Sequence, residues 1–182
     1  MNTHPTRVVT NEVRLSYAHL FQPRFINGSK PKYSVSLLIP KTDTTTITAI
    51  ERAVNAAIEA GIGRFGGKKP RKESLKLPLR DGDAERDDEA YQGCFFVNAS
   101  STFPPQVVDA DLQPILFPAE VYSGCYGRAS MNFYAFNSNG SRGIACYLGN
   151  IQKLRDGEPL GVSRTSAVED FTPDSSTSSD QK

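Results

Sequence analysis

EVYSGCYGRASMNFYAFN, residues 120–137, is the stretch that settles the fold class of this chain. Alternate residues place Val121, Cys125, Ala129, Met131, Phe133 and Ala135 on one face. The opposite face carries Tyr122, Gly124, Tyr126, Arg128, Ser130, Asn132, Tyr134 and Phe136. A period of two over so long a run is the mark of a β-strand, or a bent pair, with one side buried. Gly124 or Gly127 can host a bulge, which would flip the register locally.

Outward from this run, the remaining segments are mostly short strands. Thr6 to Leu20 alternates, with Val13, Leu15 and Tyr17 on one face and Glu12, Arg14 and Ser16 on the other. Pro23, Asn27-Gly28 and Pro31 make a turn-rich break, after which Tyr33, Val35, Leu37 and Ile39 share a face opposite Lys32, Ser34 and Ser36. An antiparallel pair opens the chain on this pattern. One helix follows, with Asp43 or a nearby threonine as cap, Ile47, Ile50, Val54, Ala57 and Ile58 at helical spacing, and Gly61 as stop. Its outer face, Glu51, Arg52, Asn55 and Glu59, has no basic stripe, so it reads as a packing helix. CFFVNASS, VVDADLQPI and GIACYLGNIQKL supply further strands, with Asn139-Gly140 as a hairpin turn.

The expected architecture is mainly β: an OB-fold-like, partly open β-barrel with one packing helix. A β-sandwich with an inserted helix is the alternative. Residues 1–165 form one domain, in which 61–93 is a long charged loop, and 166–182 form a flexible acidic tail. That tail reads EDFTPDSSTSSDQK from Glu169, too polar to bury itself.

Net charge is +1, from 21 Lys and Arg against 20 Asp and Glu, yet the charges are sorted. Arg64, Lys68, Lys69, Arg71, Lys72, Lys76 and Arg80 come first, opposed by Glu73 alone; Asp81, Asp83, Glu85, Asp87, Asp88 and Glu89 follow, opposed by Arg86 alone. A glycine-flanked basic run such as GRFGGKKPRK can track a phosphate backbone; it can equally be a solvated loop. The mixed aromatic and cationic face of residues 120–137 is suited to stacking bases and neutralising phosphates. Lys30 and Lys32 are candidate phosphate contacts beside a strand entrance, or edge lysines that discourage aggregation.

Other chemistries find little support. Cys94, Cys125 and Cys146 lack metal-ligand spacing and read as core thiols; with only His4 and His19, a His/Cys metal site is not expected. The loop acids could bind Mg²⁺ as in a nuclease, with Asp87 and Asp88 as the residues to test, but they crowd on a segment that reads as flexible. No phosphate-binding GxxxxGK[ST], GxSxG or HExxH occurs, so neither an enzyme nor a cofactor is expected. No apolar run approaches roughly 18 residues, and MNTHPTRVV lacks a signal-peptide layout, so a cytoplasmic location without membrane contact is expected.

RLSYAHLFQPR, KPKYSVSLLIPKTD, the glycine- and lysine-rich segment, GCFFVNASS, YSGCYGRASMNFYAFN and GIACYLGNIQKLRDGEPLGV occur in this order. Together they resemble a family of bacteriophage single-stranded-DNA-binding proteins, from about Thr6 to Asp170. The resemblance implies an OB-fold that binds single-stranded DNA in phage replication and recombination, in the host cytoplasm, without sequence preference or catalysis. Carried over, it implies DNA contacts at Tyr122, Tyr126, Arg128, Lys30, Lys32, Lys68, Lys69, Arg71 and Lys72. Many single-stranded-DNA-binding proteins end in an acidic tail closed by a terminal phenylalanine, which docks replication partners. Here the chain ends Asp180-Gln181-Lys182, and Glu169, Asp170 and Phe171, with Asp174 and Asp180 beyond, are the candidate partner or autoregulatory tail. The tail is expected to compete with DNA for its groove, so truncation at Val168 should tighten binding. The other class of function left open is a phage structural or assembly protein that ignores DNA.

Overall fold

The computed structural model describes residues 4–25, 28, 30–161 and 167–171. Its strands are β1 (Arg7–Val9), β2 (Val13–Arg24), β3 (Lys32–Pro40), β4 (Arg80–Asp81), β5 (Cys94–Ser101), β6 (Val107–Val108), β7 (Tyr126–Ser138) and β8 (Ser141–Arg155). They hydrogen-bond in the order β1-β7-β2-β3-β5-β8-β6, with β4 on β5 and a further pairing of β7 with β8. That last pairing closes β2, β3, β5, β8 and β7 into a five-stranded barrel of oligonucleotide-binding topology. Closure is thin at two seams: β2 meets β7 only at Val13 and Arg14, and β5 meets β8, in parallel, only at Ser100 and Tyr147.

The alternation expected in residues 120–137 holds on its buried side. Val121, Cys125, Ala129, Met131, Phe133 and Ala135 all enter the core, with Val35, Leu37 and Ile39 of β3 and Val97 and Ala99 of β5. The strand is shorter than expected, however. It begins at Tyr126, because Pro118 opens a helical turn over Pro118–Glu120, and Gly124 adopts φ +118 against the carbonyl of Glu158. Tyr122 therefore precedes the sheet instead of belonging to it.

Helix α1 (Thr44–Ala60) is built as its pattern dictates. Asp43 Oδ1 accepts from Thr46 N at 3.1 Å, and Gly61 N closes the last turn onto Ala57 O at 2.9 Å. Ile50, Ala53, Val54, Ala57 and Ile58 are buried against the barrel, each larger aliphatic worth roughly 1.5–3 kcal/mol. Gly61 touches Ala135, leaving no room for a side chain there.

Two sequence expectations need correcting. Tyr17 does not share the core face of Val13 and Leu15. Ser16 pairs with Ser36 and His19 with Ser34, so two residues of β2, Tyr17 and Ala18, face one of β3, Val35, a bulge. Tyr17 takes φ +46, its ring turns out and is 51% exposed, and the Ala18 amide is caught by Ser123 Oγ at 3.1 Å. The charged segment 61–93 is the long connection expected, but its acidic half is not the flexible stretch its composition suggests. That half docks on the barrel through Tyr91, which is fully buried against Leu38 and Phe96. The Tyr91 hydroxyl reaches Ser36 Oγ at 3.2 Å and Ser16 Oγ at 3.4 Å. Of the acidic tail, the helical turn Ala167–Asp170 and Phe171 are described; Asp174 and Asp180 lie outside the described residues.

Candidate nucleic-acid interface

Lys32, Ser34 and Ser36 alternate along the outer side of β3, since Val35 and Leu37 between them fill the core. Their cross-strand partners on β5 are small and polar too: Ser34 faces Ser100, and Ser36 faces Asn98. Serine and asparagine in the middle of a sheet, where β-branched and aromatic residues usually sit, leave a trough. It is a groove of about 490 Å³ lined by Tyr17, Ser34, Ser36, Asn98, Ser100 and Arg86.

The walls are chemically distinct. On one side the bulged Tyr17 stands in a left-handed conformation that costs a bulky residue about 1–3 kcal/mol, and it recovers little by burial. Above it Arg86 lies 5.8 Å from the Tyr17 ring, 5.0 Å from Tyr91 and 5.3 Å from Phe96. Tyr91 and Phe96 meet edge to face at 5.1 Å, which gives the guanidinium a fixed aromatic seat. At the other end, Lys32 extends the row of Ser34 and Ser36, next to Arg24, its partner in the protruding β2–β3 arm. A ring with a bare face, a floor of hydrogen-bonding groups and a cation at each end suit an extended polyanion bearing flat bases.

The acidic half of the charged segment holds Arg86 in place. Lys41 Nζ bridges Asp81 Oδ1 and Asp83 Oδ2, both at 2.7 Å, and Arg80 pairs with Glu85 at 2.9 Å. Hydrogen bonds from Lys41 hold the Asp81 and Asp83 carboxyls below the usual range, and the Gly93 amide adds to this at Asp83. Asp88 caps the turn Glu89–Tyr91 by accepting from Ala90 N at 3.0 Å. These carboxylates organise the segment; among the described residues no group of three or more His, Cys, Asp or Glu could hold a metal ion.

The sequence model of the family described as "Enterobacter phage Enc34, ssDNA-binding protein" matches residues 6–181 of this chain. The chain belongs to that family. Protein p50 of Acyrthosiphon pisum secondary endosymbiont phage 1 is 32% identical to it over 171 residues, spanning 91% of this chain and 92% of that protein. Among solved structures, the single-stranded DNA-binding protein from bacteriophage Enc34 in complex with ssDNA superposes with a TM-score of 0.75 at 24% identity, over 86% of this chain and 90% of that one. The single-stranded DNA-binding protein gp2.5 of bacteriophage T7 gives 0.60 at 12% identity, over 88% of this chain and 97% of that one. At such identities these structures share the fold.

In this Enc34-family chain the residues singled out from sequence fall into four separate places. Tyr122 and Tyr126 flank the open end of the β7–β8 pair and are engaged internally. The Tyr122 hydroxyl donates to Gly157 O at 2.9 Å, accepts from Gly157 N at 3.2 Å, and has Lys153 over its ring at 5.5 Å. Tyr126 has two guanidiniums over its ring, Arg155 at 3.8 Å and Arg14 at 5.4 Å from its centroid. Arg155 in turn holds Glu12 at 2.7 Å, and Arg14 donates to the carbonyls of Gly124 and Glu158. Arg128 is exposed near β1, its Nε donating to Thr10 O at 2.8 Å.

The basic run sits elsewhere. Lys68, Lys69, Arg71 and Lys72 are exposed beside the β7–β8 turn, where Lys76 bridges Gly143 and Asn137 Nδ2 reaches Arg64 O at 2.9 Å. Lys69 is paired with Glu59 of α1. The two ends of the 13-residue β7 are roughly 40 Å apart at about 3.3 Å per residue, so this run and Tyr126 do not share a surface. Lys30 and Lys32 lie on the arm at the groove's end. Tyr17 and Arg86 were not singled out from sequence. The alternating serines of YSVS, echoed by NASS, were the legible signal for the groove floor.

Proposed function

We propose that this chain binds single-stranded DNA without sequence preference, serving phage DNA replication and recombination in the host cytoplasm. The observation that carries the reading is the groove on β2, β3 and β5, in a chain that belongs to a single-stranded-DNA-binding family. One base stacks on Tyr17. Ser34, Asn98 and Ser100 offer hydroxyls and an amide to whatever base edges lie over them, which is tolerant of sequence. Arg86 and Lys32, helped by Lys30 on the arm, neutralise phosphates. The basic run Lys68, Lys69, Arg71 and Lys72 adds attraction at a distance, and Arg128 belongs to a separate rim. No chemical step is assigned, and a structural or assembly role is not favoured. Partner docking or groove competition by Glu169, Asp170 and Phe171 remains part of the proposal, supported by the 80% exposure of Phe171.

The test is fluorescence anisotropy of a labelled oligo(dT) against a duplex of equal length, across a salt series. Tight binding to the single strand, weakening linearly in log salt with a slope near −0.7 per phosphate contacted, supports the reading. Equal affinity for duplex and single strand, or no binding at low salt, contradicts it.

A further inference from the structure

The outer face of the barrel does not stop at Ser100. The register carries one row onward: Ser34 pairs with Ser100, Ser100 with Tyr147, Tyr147 with Asn132, and Asn132 with Arg7. Partners in register project to the same side of a sheet. Tyr147 therefore stands on the groove's own face, one strand beyond Ser100, flanked by buried Cys146 and Leu148. Tyr134 follows on β7, between buried Phe133 and Ala135 and opposite the small Ala145. The rings are 37% and 42% exposed, and among the described residues no arginine or lysine stacks on either, unlike Tyr122 and Tyr126. Beyond them Arg7 and Arg128 line a shallow groove of about 210 Å³ with Ser130 and Asn150.

We propose that Tyr147 and Tyr134 are a second stacking station for the same single strand, and that Arg7 and Arg128 hold the phosphates beyond it. This rests on the groove reading above. The occupant follows from charge and continuity: two half-bare rings lie between a groove suited to nucleotides and a rim of two arginines, with small side chains (Ser100, Ala145) and no acidic residue along the paired row. A strand would thus cross β3, β5, β8 and β7 in turn, and the footprint would exceed what Tyr17 and its floor can cover.

Oligo(dT) strands of about four and about sixteen nucleotides, the limits for one such barrel, separate the two stations. Tyr134→Ala with Tyr147→Ala should weaken the longer strand by at least about fivefold and leave the shorter one unchanged. Tyr134→Phe with Tyr147→Phe should keep wild-type affinity. Arg7→Ala should reduce the salt slope for the longer strand by about 0.7. A double alanine variant that binds the longer strand like wild type, or loses both lengths equally, overturns the proposal. Should that variant fail to fold, wild-type protein cross-linked to the longer strand carrying iododeoxyuridine answers instead: adducts on the tryptic peptide holding Tyr147 support the station, and their absence overturns it. Wild-type protein that binds neither length overturns the groove reading together with this one, whereas Tyr17→Ala losing both lengths upholds the groove alone.

Discussion

Tyr17 and Tyr126 are both tyrosines on the barrel wall with an arginine close by, yet their surroundings differ. Tyr126 has Arg14 and Arg155 over its ring, and each of those cations is itself tied to Glu12 or to backbone carbonyls. Tyr17 has one arginine at 5.8 Å, a bulge that turns it outward, and an open trough of serines beneath it. On the function proposed above, a ring taken up by the protein's own cations holds the fold together, and a ring kept bare at a conformational cost is available to a ligand. Side-chain type does not separate these two cases. Occupancy of the ring faces does.

The sharpest way to break this contrast is to change each ring in turn. Tyr17→Ala should lower affinity for single-stranded DNA by about 1–3 kcal/mol, read by anisotropy, whereas Tyr126→Ala should leave affinity unchanged and lower the melting temperature. Tyr17→Gly should lose the same affinity without loss of thermal stability, because glycine accepts the positive φ at no steric cost. If Tyr126→Ala weakens DNA as strongly as Tyr17→Ala, the contrast fails.

Smaller effects sharpen it. Arg86→Ala removes both a phosphate contact and the cation seated on Tyr91 and Phe96. The salt slope should flatten by about 0.7, and amide exchange across residues 81–93 should quicken. Tyr122→Phe deletes the hydroxyl shared with Asp156 and Gly157; about 1 kcal/mol of stability should go, by chemical denaturation, with DNA affinity intact.

The docked acidic segment should also respond to pH in one direction. Asp81 and Asp83 have carboxyls held below their ordinary value of 3.8 by Lys41. A depressed carboxylate contributes stability above its unfolded value and loses it as pH falls through the folded one. Amide exchange in residues 81–93, corrected for intrinsic rate, should stay slow from neutral pH down to about 4 and speed up only below that. Loosening already near pH 6 would mean that these pairs do not hold the segment.

Much of the barrel is legible in the sequence, because burial leaves a periodic trace. The alternation of Ala129, Met131, Phe133 and Ala135, the Asp43 cap, the Gly61 stop and the Asn139-Gly140 turn all reappear where the pattern put them. The groove of the proposed site was less legible, for identifiable reasons. Strict alternation puts Tyr17 in the core, because it carries no sign of one extra residue in β2; the bulge arises only when β2 pairs with β3. Arg86 looked like a stray cation in an acidic run; its role exists only once Tyr91 buries itself against Phe96 and Leu38. Tyr122 and Tyr126 had the right composition for a stacking face, but the cations that occupy them come from residues distant in the chain: Arg14 from β2, and Lys153 and Arg155 from the end of β8. Lys32 was readable from local alternation alone, and it sits at the end of the groove row.

Hydrogen–deuterium exchange of the whole chain, free and with saturating oligo(dT), shows where the strand lies without altering any side chain. Protection is expected across residues 14–24, 32–38 and 94–101, with 118–126 unchanged. Protection confined to 118–128 and 150–157, with β3 and β5 unaffected, would place the DNA on Tyr122 and Tyr126 and contradict the groove.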